Sequence, residues 1–392
     1  KFYKKSNNLV KSIVLRIPWI GKKIIKIVED IKYSIKKIFI PNMLFEDMGY
    51  TYLGPVDGHN IEKVEKILNI AKRIDGPKLV HIITKKGKGY EIAEKEPSKY
   101  HSTGPFDLKT GESSIKKDKD YSKVFGDKLI KIAGKNKKVV AITAAMKDGT
   151  GLKEFACKYK DRFFDVGIAE QHAIGVAAGM ARNGLIPFVP IYSSFFQRGY
   201  DQVIHDICMQ NLHVVLCADR AGIVGQDGET HQGIFDLSFF NIVPNLVIMA
   251  PKNFRELEDM MDFAINYNGP VYIRYPKGGE GNTRINKEDE IVLGKAEKLL
   301  DGNKYTIIAI GKMVEKAYSI AIMLKKENIN VQVINARFLK PIDEENIIKW
   351  IGNTKIITIE DNITRGGLGS TILEILHKYN KKDEIKILGY PE

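Results

Sequence analysis

Cysteine is scarce in this sequence. Cys157, Cys208 and Cys217 are its only three in 392 residues, and no two form a CxxC pair. Three such thiols cannot supply a disulfide framework, so a reducing compartment and a cytoplasmic location are expected. Lone cysteines of this kind commonly serve as small core hydrophobes. Long apolar runs are missing too. The stretch from Val139 to Met146 is among the longest, against the roughly 18 residues a membrane helix needs, so no stable membrane insertion is expected. There is no HExxH pair and no EF-hand loop, and hence no metal-ligand set. The dinucleotide pattern GxGxxG is absent as well: Gly87-Lys88-Gly89 is followed by neither a third glycine nor a helical pattern. What remains is a globular composition, 44% hydrophobic and 28% charged. That is enough to bury real cores, and the length suits two or three domains at about 100–200 residues each.

The formal charge is +13, which invites a nucleic-acid reading. Its distribution argues against one. Residues 1–40 hold eleven Lys or Arg against Glu29 and Asp30, and so carry +9 of that total. The segment interleaves these with apolar residues at partly helical spacing, broken at Pro18. Such a basic amphipathic helix either binds an anionic surface or packs on its own protein with its lysines solvated. The chain begins at Lys1 and is expected to be a piece of a longer protein.

Periodicity predicts three α/β blocks. The first pairs a strand at 52–56 with an amphipathic helix over 61–74, its apolar side formed by Ile61, Val64, Ile67, Leu68 and Ala71, and a second strand at 79–84. A Gly-, Pro- and charge-rich stretch over 85–120 reads as a functional loop and linker. The second block alternates strands at 139–143, 188–192, 214–219, 246–250 and 271–275 with helices at 121–133, 170–183, 195–209 and 254–266. Repeated apolar strands separated by helices predict a mainly parallel sheet covered on both faces. A polar linker over 278–303 leads to the third block, with strands at 306–310, 331–336, 355–360 and 386–389 and helices at 314–326 and 369–379. The expected division is 1–112, 113–278 and 279–392, with the first domain incomplete.

In open α/β sheets, ligands gather at the carboxyl ends of strands. Four segments fall at such places. The run 165–172 opens a helix and puts Glu170 in its first turn, where an acid often does no more than complement the helix dipole. The run 191–198 sets Tyr192, Phe195 and Arg198 at a strand-to-helix junction, where aromatics are commonly core. The loop 219–233 holds Arg220, Asp227 and His231 among four glycines; a polar loop of that length after a buried strand rarely exists for packing alone. Arg220, together with Arg274 at the end of the next-but-one strand, has the fork geometry that grips phosphate by bidentate hydrogen bonds. The lysines and glycines of 84–90, leading to Tyr100 and His101, suit an anion or a solvated loop equally.

Taken in order, the segments YLGPVDGH (52–59), HIITKKGKGYEIAE (81–94), YHSTGPFD (100–107), AITAAMKDGTGL (141–152), RFFDVGIAEQH (162–172), IYSSFFQRGYDQVIHD (191–206), DRAGIVGQDGETHQG (219–233), RYPKG (274–278), NARFLKPID (335–343) and GGLGS (366–370) resemble the 1-deoxy-D-xylulose-5-phosphate synthases. These are thiamine diphosphate enzymes of transketolase-like fold. The resemblance runs from about Met43 to the C-terminus. It implies decarboxylative condensation of pyruvate with D-glyceraldehyde 3-phosphate through a thiamine ylid and enamine, the first step of the non-mevalonate isoprenoid pathway. It further implies a homodimer and no nucleic-acid partner.

By the same resemblance, Glu170 is the carboxylate that meets the cofactor's aminopyrimidine, Tyr90 lies beside the cofactor, and Phe195 stacks on the pyrimidine. Tyr192, Arg220 and Arg274 form a phosphate clamp with Arg198 nearby. His101, Asp227 and His231 hold substrates and move protons. Two departures, Ser194 for Thr and Phe196 for Leu, are tolerable. A larger one is that the Gly-Asp-Gly motif through which the family binds Mg²⁺ and the diphosphate does not occur. The Mg²⁺ ligands are therefore expected in an N-terminal part that this sequence lacks, and none is assigned here. The competing readings are a transketolase or a 2-oxoacid dehydrogenase β subunit, which would lack that motif naturally, and a non-catalytic basic module acting through 1–40.

Overall fold

The computed structural model describes residues 44–97, 99–101, 103–113, 119–285, 289–382 and 384–391. The basic segment 1–40 lies outside them. The chain divides into two compact units, Lys1–Lys116 and Lys117–Glu392.

In the first unit, strands β1 (Thr51–Asp57) and β2 (Lys78–Ile83) pair in parallel. The helix Ile61–Ala71 joins them, and the Asn60 side chain caps it by accepting from the Lys63 N–H at 3.0 Å. The expected apolar face is only partly covered. Ala71 is buried, whereas Ile61 and Leu68 are exposed; among the described residues only two strands pair beside this helix. The stretch expected to be loop contains one short helix, Glu91–Lys95.

The second unit contains two sheets. The strands β3 (Val139–Thr143), β4 (Phe163–Asp165), β5 (Ile186–Tyr192), β6 (Val215–Ala221), β7 (Val247–Met249) and β8 (Val271–Pro276) are mutually parallel. Apart from the edge strand β4, where Phe164 is exposed, their apolar residues are largely buried on both faces, the pattern of a sheet with helices on each side. The strands β9 (Glu297–Leu300), β10 (Tyr305–Ala309), β11 (Val331–Asn335), β12 (Phe338–Lys340), β13 (Lys355–Ile363) and β14 (Ile385–Tyr390) follow. Two of these depart from the expected layout. Strand β9 lies inside the supposed 278–303 linker and closes one edge of the second sheet, ordered β14-β13-β10-β11-β9, antiparallel to β11. Strand β12 leaves its own block and pairs antiparallel with β7, giving the first sheet the order β12-β7-β8-β6-β5-β3-β4. Runs of three or four residues carry too little periodicity to be read alone.

Chain crossing and a shared core weld the two sheets together. Ile308, Ile310 and Ile334 belong to the same apolar cluster as Ile142 and Ile191. A buried ionic network adds to this. Lys252 and Arg337 meet Glu256 and Glu297 at 2.7–3.2 Å, and the Asn335 amide donates to both carboxylates. Two cations face two anions there, so no charge is left uncompensated in the interior.

The helix expected over 195–209 is segmented. Residues Ser193–Gly199 form a 3₁₀ turn, Tyr200–Gln202 one α turn and Val203–Cys208 a π turn. A Cβ at Gly199 would fall 2.1 Å from the Ile174 side chain. Only glycine lets this segment pack so tightly on the helix Glu170–Arg182.

Candidate active site

The carboxyl ends of β3, β5, β6 and β8 converge, as the parallel topology requires. Strand β5 ends at Tyr192, and β6 carries Asp219 and Arg220 just before its last residue, Ala221. Arg220 has φ +60, a left-handed conformation that a non-glycine residue adopts only when its surroundings enforce it.

Five of the expected residues form one cluster here. The Tyr192 and Phe195 rings stack at 5.7 Å, and Phe195 meets the His231 ring edge-on at 5.1 Å. The Arg220 guanidinium lies 3.9 Å from the centre of the Tyr192 ring, a cation–π contact. Arg220 Nε donates to Asp227 Oδ2 at 3.2 Å. Burial pushes the Tyr192 phenol up, partly opposed by Arg220, so it stays a protonated donor. Burial also tends to raise the Asp227 carboxyl, but the Lys277 ammonium and the Arg220 guanidinium outweigh it and hold it below its ordinary value. His231 shares its Nδ1 with Thr230 Oγ1 at 2.9 Å.

Arg220 is held from several sides. Its Nη1 donates to the Gly149 carbonyl at 2.7 Å and to Asp219 Oδ1 at 2.9 Å. Nη2 and the Tyr192 hydroxyl make no hydrogen bond among the described residues. Both lie beside Gly149: a Cβ there would fall 1.8 Å from the Tyr192 oxygen and 3.3 Å from Arg220 Nη2. Two donors beside a residue without a side chain suit an anionic oxygen cluster.

Glu170 begins the helix Glu170–Arg182 with no side-chain cap before it. It is only 2% exposed. Arg198 Nη1 lies 3.0 Å from its Oε2, within ion-pair range, but the angles are not those of a hydrogen bond and Oε2 is left unbonded. The Ser193 and Ser194 hydroxyls on the adjoining turn are also buried and unbonded. Arg198, expected near the phosphate clamp, thus has its ion pair with the helix acid instead.

Arg274 also departs from expectation. It is 2% exposed, and all three guanidinium nitrogens meet this chain's own oxygens. Nε donates to both oxygens of Asp236 at 2.9–3.0 Å, Nη1 to Asp361 Oδ1 at 2.5 Å, and Nη2 to the carbonyls of Gly233 at 3.1 Å and Asp361 at 2.8 Å. It presents no open fork. It ties β8 to β13 and supports the end of the 219–233 loop from beneath.

Tyr90 and His101 belong to the first unit. The Tyr90 hydroxyl donates to the Leu108 carbonyl at 3.1 Å, and its ring packs with Tyr100 and Phe106. His101 is exposed, with Nδ1 2.5 Å from Lys86 Nζ. An ammonium has only donors, so Nδ1 is the acceptor and the ring proton sits on Nε2.

Sequence reasoning gave no role to Gly149, Asp219, Ser122 or Lys277. Lys277 Nζ meets Asp227 Oδ1 at 2.5 Å. Ser122 Oγ donates to Asp219 Oδ2 at 2.6 Å across 97 residues of chain. Gly149, Asp219 and Lys277 each lie within a quoted segment, which was the available signal; Ser122 had none. Among the described residues no group of His, Cys, Asp and Glu is arranged to hold a metal ion, and no helix is long and apolar enough to cross a membrane.

Three family models match in succession: "1-deoxy-D-xylulose-5-phosphate synthase" over residues 1–84, "Transketolase, pyrimidine binding domain" over 117–280 and "Transketolase, C-terminal domain" over 294–392. A 1-deoxy-D-xylulose-5-phosphate synthase of Natranaerobius thermophilus is 54% identical over 374 residues, covering 94% of this chain and 59% of that protein. One of Clostridium tetani is 50% identical over 391 residues, covering 100% of this chain and 63% of the relative. The chain thus spans about 60% of the length of the curated relatives it matches. A solved structure described as "Split gene transketolase, inactive beta4 tetramer" is 31% identical with a TM-score of 0.64, covering 70% of this chain and 89% of that one. The chain belongs to the transketolase-like family of enzymes, in the branch of the 1-deoxy-D-xylulose-5-phosphate synthases.

Proposed function

We propose that this chain carries the helix acid and the acceptor-binding face of a 1-deoxy-D-xylulose-5-phosphate synthase, which joins pyruvate to D-glyceraldehyde 3-phosphate with loss of CO₂. The observation that carries the reading is Glu170 Oε2, a buried carboxylate oxygen that has the Arg198 ion pair at 3.0 Å but no hydrogen bond. Such an atom costs free energy unless a ligand donates to it. It therefore fits the protonatable nitrogen of an aminopyrimidine. Thiamine diphosphate, when bound, supplies a carbon nucleophile and an electron sink for decarboxylation.

Glu170 would accept a hydrogen bond at Oε2, its position fixed by the first helical turn. Phe195, braced by Tyr192 and His231, would offer a flat apolar face to the pyrimidine. Tyr90 would lie beside the cofactor. The Tyr192 hydroxyl and Arg220 Nη2 would donate to the acceptor's phosphate. Asp227 would steady Arg220 through Nε, while His231 and His101 would hold substrate and move protons, work for which imidazole is suited near neutral pH.

Mg²⁺ belongs to this proposal as the counter-ion a diphosphate needs. So do a homodimer, a cytoplasmic location and the division into 1–112, 113–278 and 279–392. The apolar groove formed by Tyr200, Phe235, Phe239 and Ile363 supports the homodimer. About 50% identity to the synthases over nearly the whole chain favours this reading over a transketolase or a dehydrogenase β subunit. Glu170→Ala in the complete protein should abolish turnover with the circular-dichroism spectrum unchanged. Near-normal turnover would refute the role of Glu170.

A further inference from the structure

Arg220 is the cation of the proposed phosphate contact, and a long flexible side chain needs something to aim it. Its five N–H groups are unevenly committed. Nε is bound to Asp227. Nη1 is bound twice, to the Gly149 carbonyl and to Asp219 Oδ1. Nη2 alone has no hydrogen bond among the described residues, and it lies beside Gly149, as the Tyr192 hydroxyl does. The partner that decides this rotation is Asp219, a fully buried carboxylate. Its other oxygen is fixed by Ser122 Oγ at 2.6 Å, from the helix Tyr121–Lys135. A buried carboxylate with both oxygens bonded cannot turn, and a charge-assisted bond from it holds a guanidinium more firmly than a carbonyl does.

Resting on the function proposed above, we infer that Asp219 is a positioning residue for that reaction: with Ser122 behind it, Asp219 locks Nη1 of Arg220 and leaves the Nη2 edge and the Tyr192 hydroxyl aimed together at the phosphate of the acceptor aldehyde. Two further observations agree. Arg220 is held at φ +60, so its Cα direction is enforced as well as its side chain. Burial pushes the Asp219 carboxyl up to about 6, against the pull of Arg220 and the Ser122 hydrogen bond. The fold therefore keeps a costly buried charge at a place where a neutral residue would pack more easily.

The test compares Asp219→Asn and Arg220→Ala in the complete protein. KM and kcat are measured with D-glyceraldehyde 3-phosphate and with unphosphorylated D-glyceraldehyde, and thermal melting is followed with and without inorganic phosphate. Asp219→Asn keeps the shape and removes the charge. It should raise KM for the phosphorylated aldehyde about tenfold or more, leave kcat within about threefold, and leave KM for the unphosphorylated aldehyde unchanged. The stabilisation that phosphate gives the wild type should be lost in both variants. If Arg220→Ala raises KM for the phosphorylated aldehyde and Asp219→Asn does not, the inference fails while the clamp stands. If Arg220→Ala changes nothing, the clamp itself falls and the inference with it. Equal losses with both aldehydes in Asp219→Asn would mark the residue as merely structural and overturn the assignment. Should Asp219→Asn not fold, Ser122→Ala decides. A rise of about two- to fivefold in the same KM alone supports the inference, and an unchanged KM overturns it.

Discussion

Gly149 and Tyr192 are in contact because one of them has no side chain: a Cβ at position 149 would fall 1.8 Å from the Tyr192 phenol oxygen. Gly149→Ala must therefore push the ring away, and with it the Arg220 guanidinium stacked on that ring. The position is not in a left-handed conformation, so the backbone itself tolerates alanine. We expect KM for the phosphorylated aldehyde to rise about tenfold while the unfolding free energy changes by no more than ~1 kcal/mol. Steady-state kinetics beside a urea titration tests this; an unchanged KM would remove Gly149 from the site.

Arg274 should behave unlike Arg220. Its removal would leave the buried Asp236 without its cation and Asp361 with only the looser ion pair to Lys312 at 3.8 Å. Breaking a buried pair from one side costs about 3–5 kcal/mol. Arg274→Ala should accordingly lower the urea midpoint strongly and reduce the amount of folded protein. A rise in KM with no loss of stability would return Arg274 to the clamp and contradict the geometry described here.

Glu360 makes a pH prediction. Its carboxylate accepts from the Leu368 and Gly369 N–H groups at 2.8 Å, at the start of the helix Leu368–Lys378. Burial raises it from 4.5 to about 7, although those two hydrogen bonds pull the other way. The folded chain thus holds a proton that the unfolded chain releases between these values. The stabilisation is complete below pH 4.5 and disappears as the pH rises through about 7. Urea unfolding at stepped pH should find the wild type losing up to about 3 kcal/mol relative to Glu360→Gln across that window. A constant difference would contradict it.

Much of this was legible in the sequence, for identifiable reasons. The strands of the first sheet are apolar on both faces, so a parallel, helix-covered sheet follows from composition, and parallel strands carry their functional groups at one end. That logic reached Tyr192, Phe195, Arg220, Asp227 and His231. It failed where a role depends on partners distant in the chain. Arg274 and Arg220 look alike in sequence. Asp236 and Asp361, 38 and 87 residues away, make one a buried tie, whereas Asp227, Asp219 and Gly149 hold the other with its Nη2 edge free. Ser122 lies on an amphipathic helix with nothing local to mark it. Strands β9 and β12, of four and three residues, are fixed by the neighbours they pair with.

On the function proposed above, the carboxylate of Glu170 activates the bound cofactor. The measurement that tests it most directly is exchange of the thiamine C2 proton into D₂O, followed by NMR on the complete, thiamine diphosphate-loaded protein, wild type against Glu170→Gln. The substitution keeps size and burial and removes only the proton-accepting charge. We predict exchange slower by about a hundredfold or more in Glu170→Gln, with the cofactor still bound. Equal rates in the two proteins would remove Glu170 from that role.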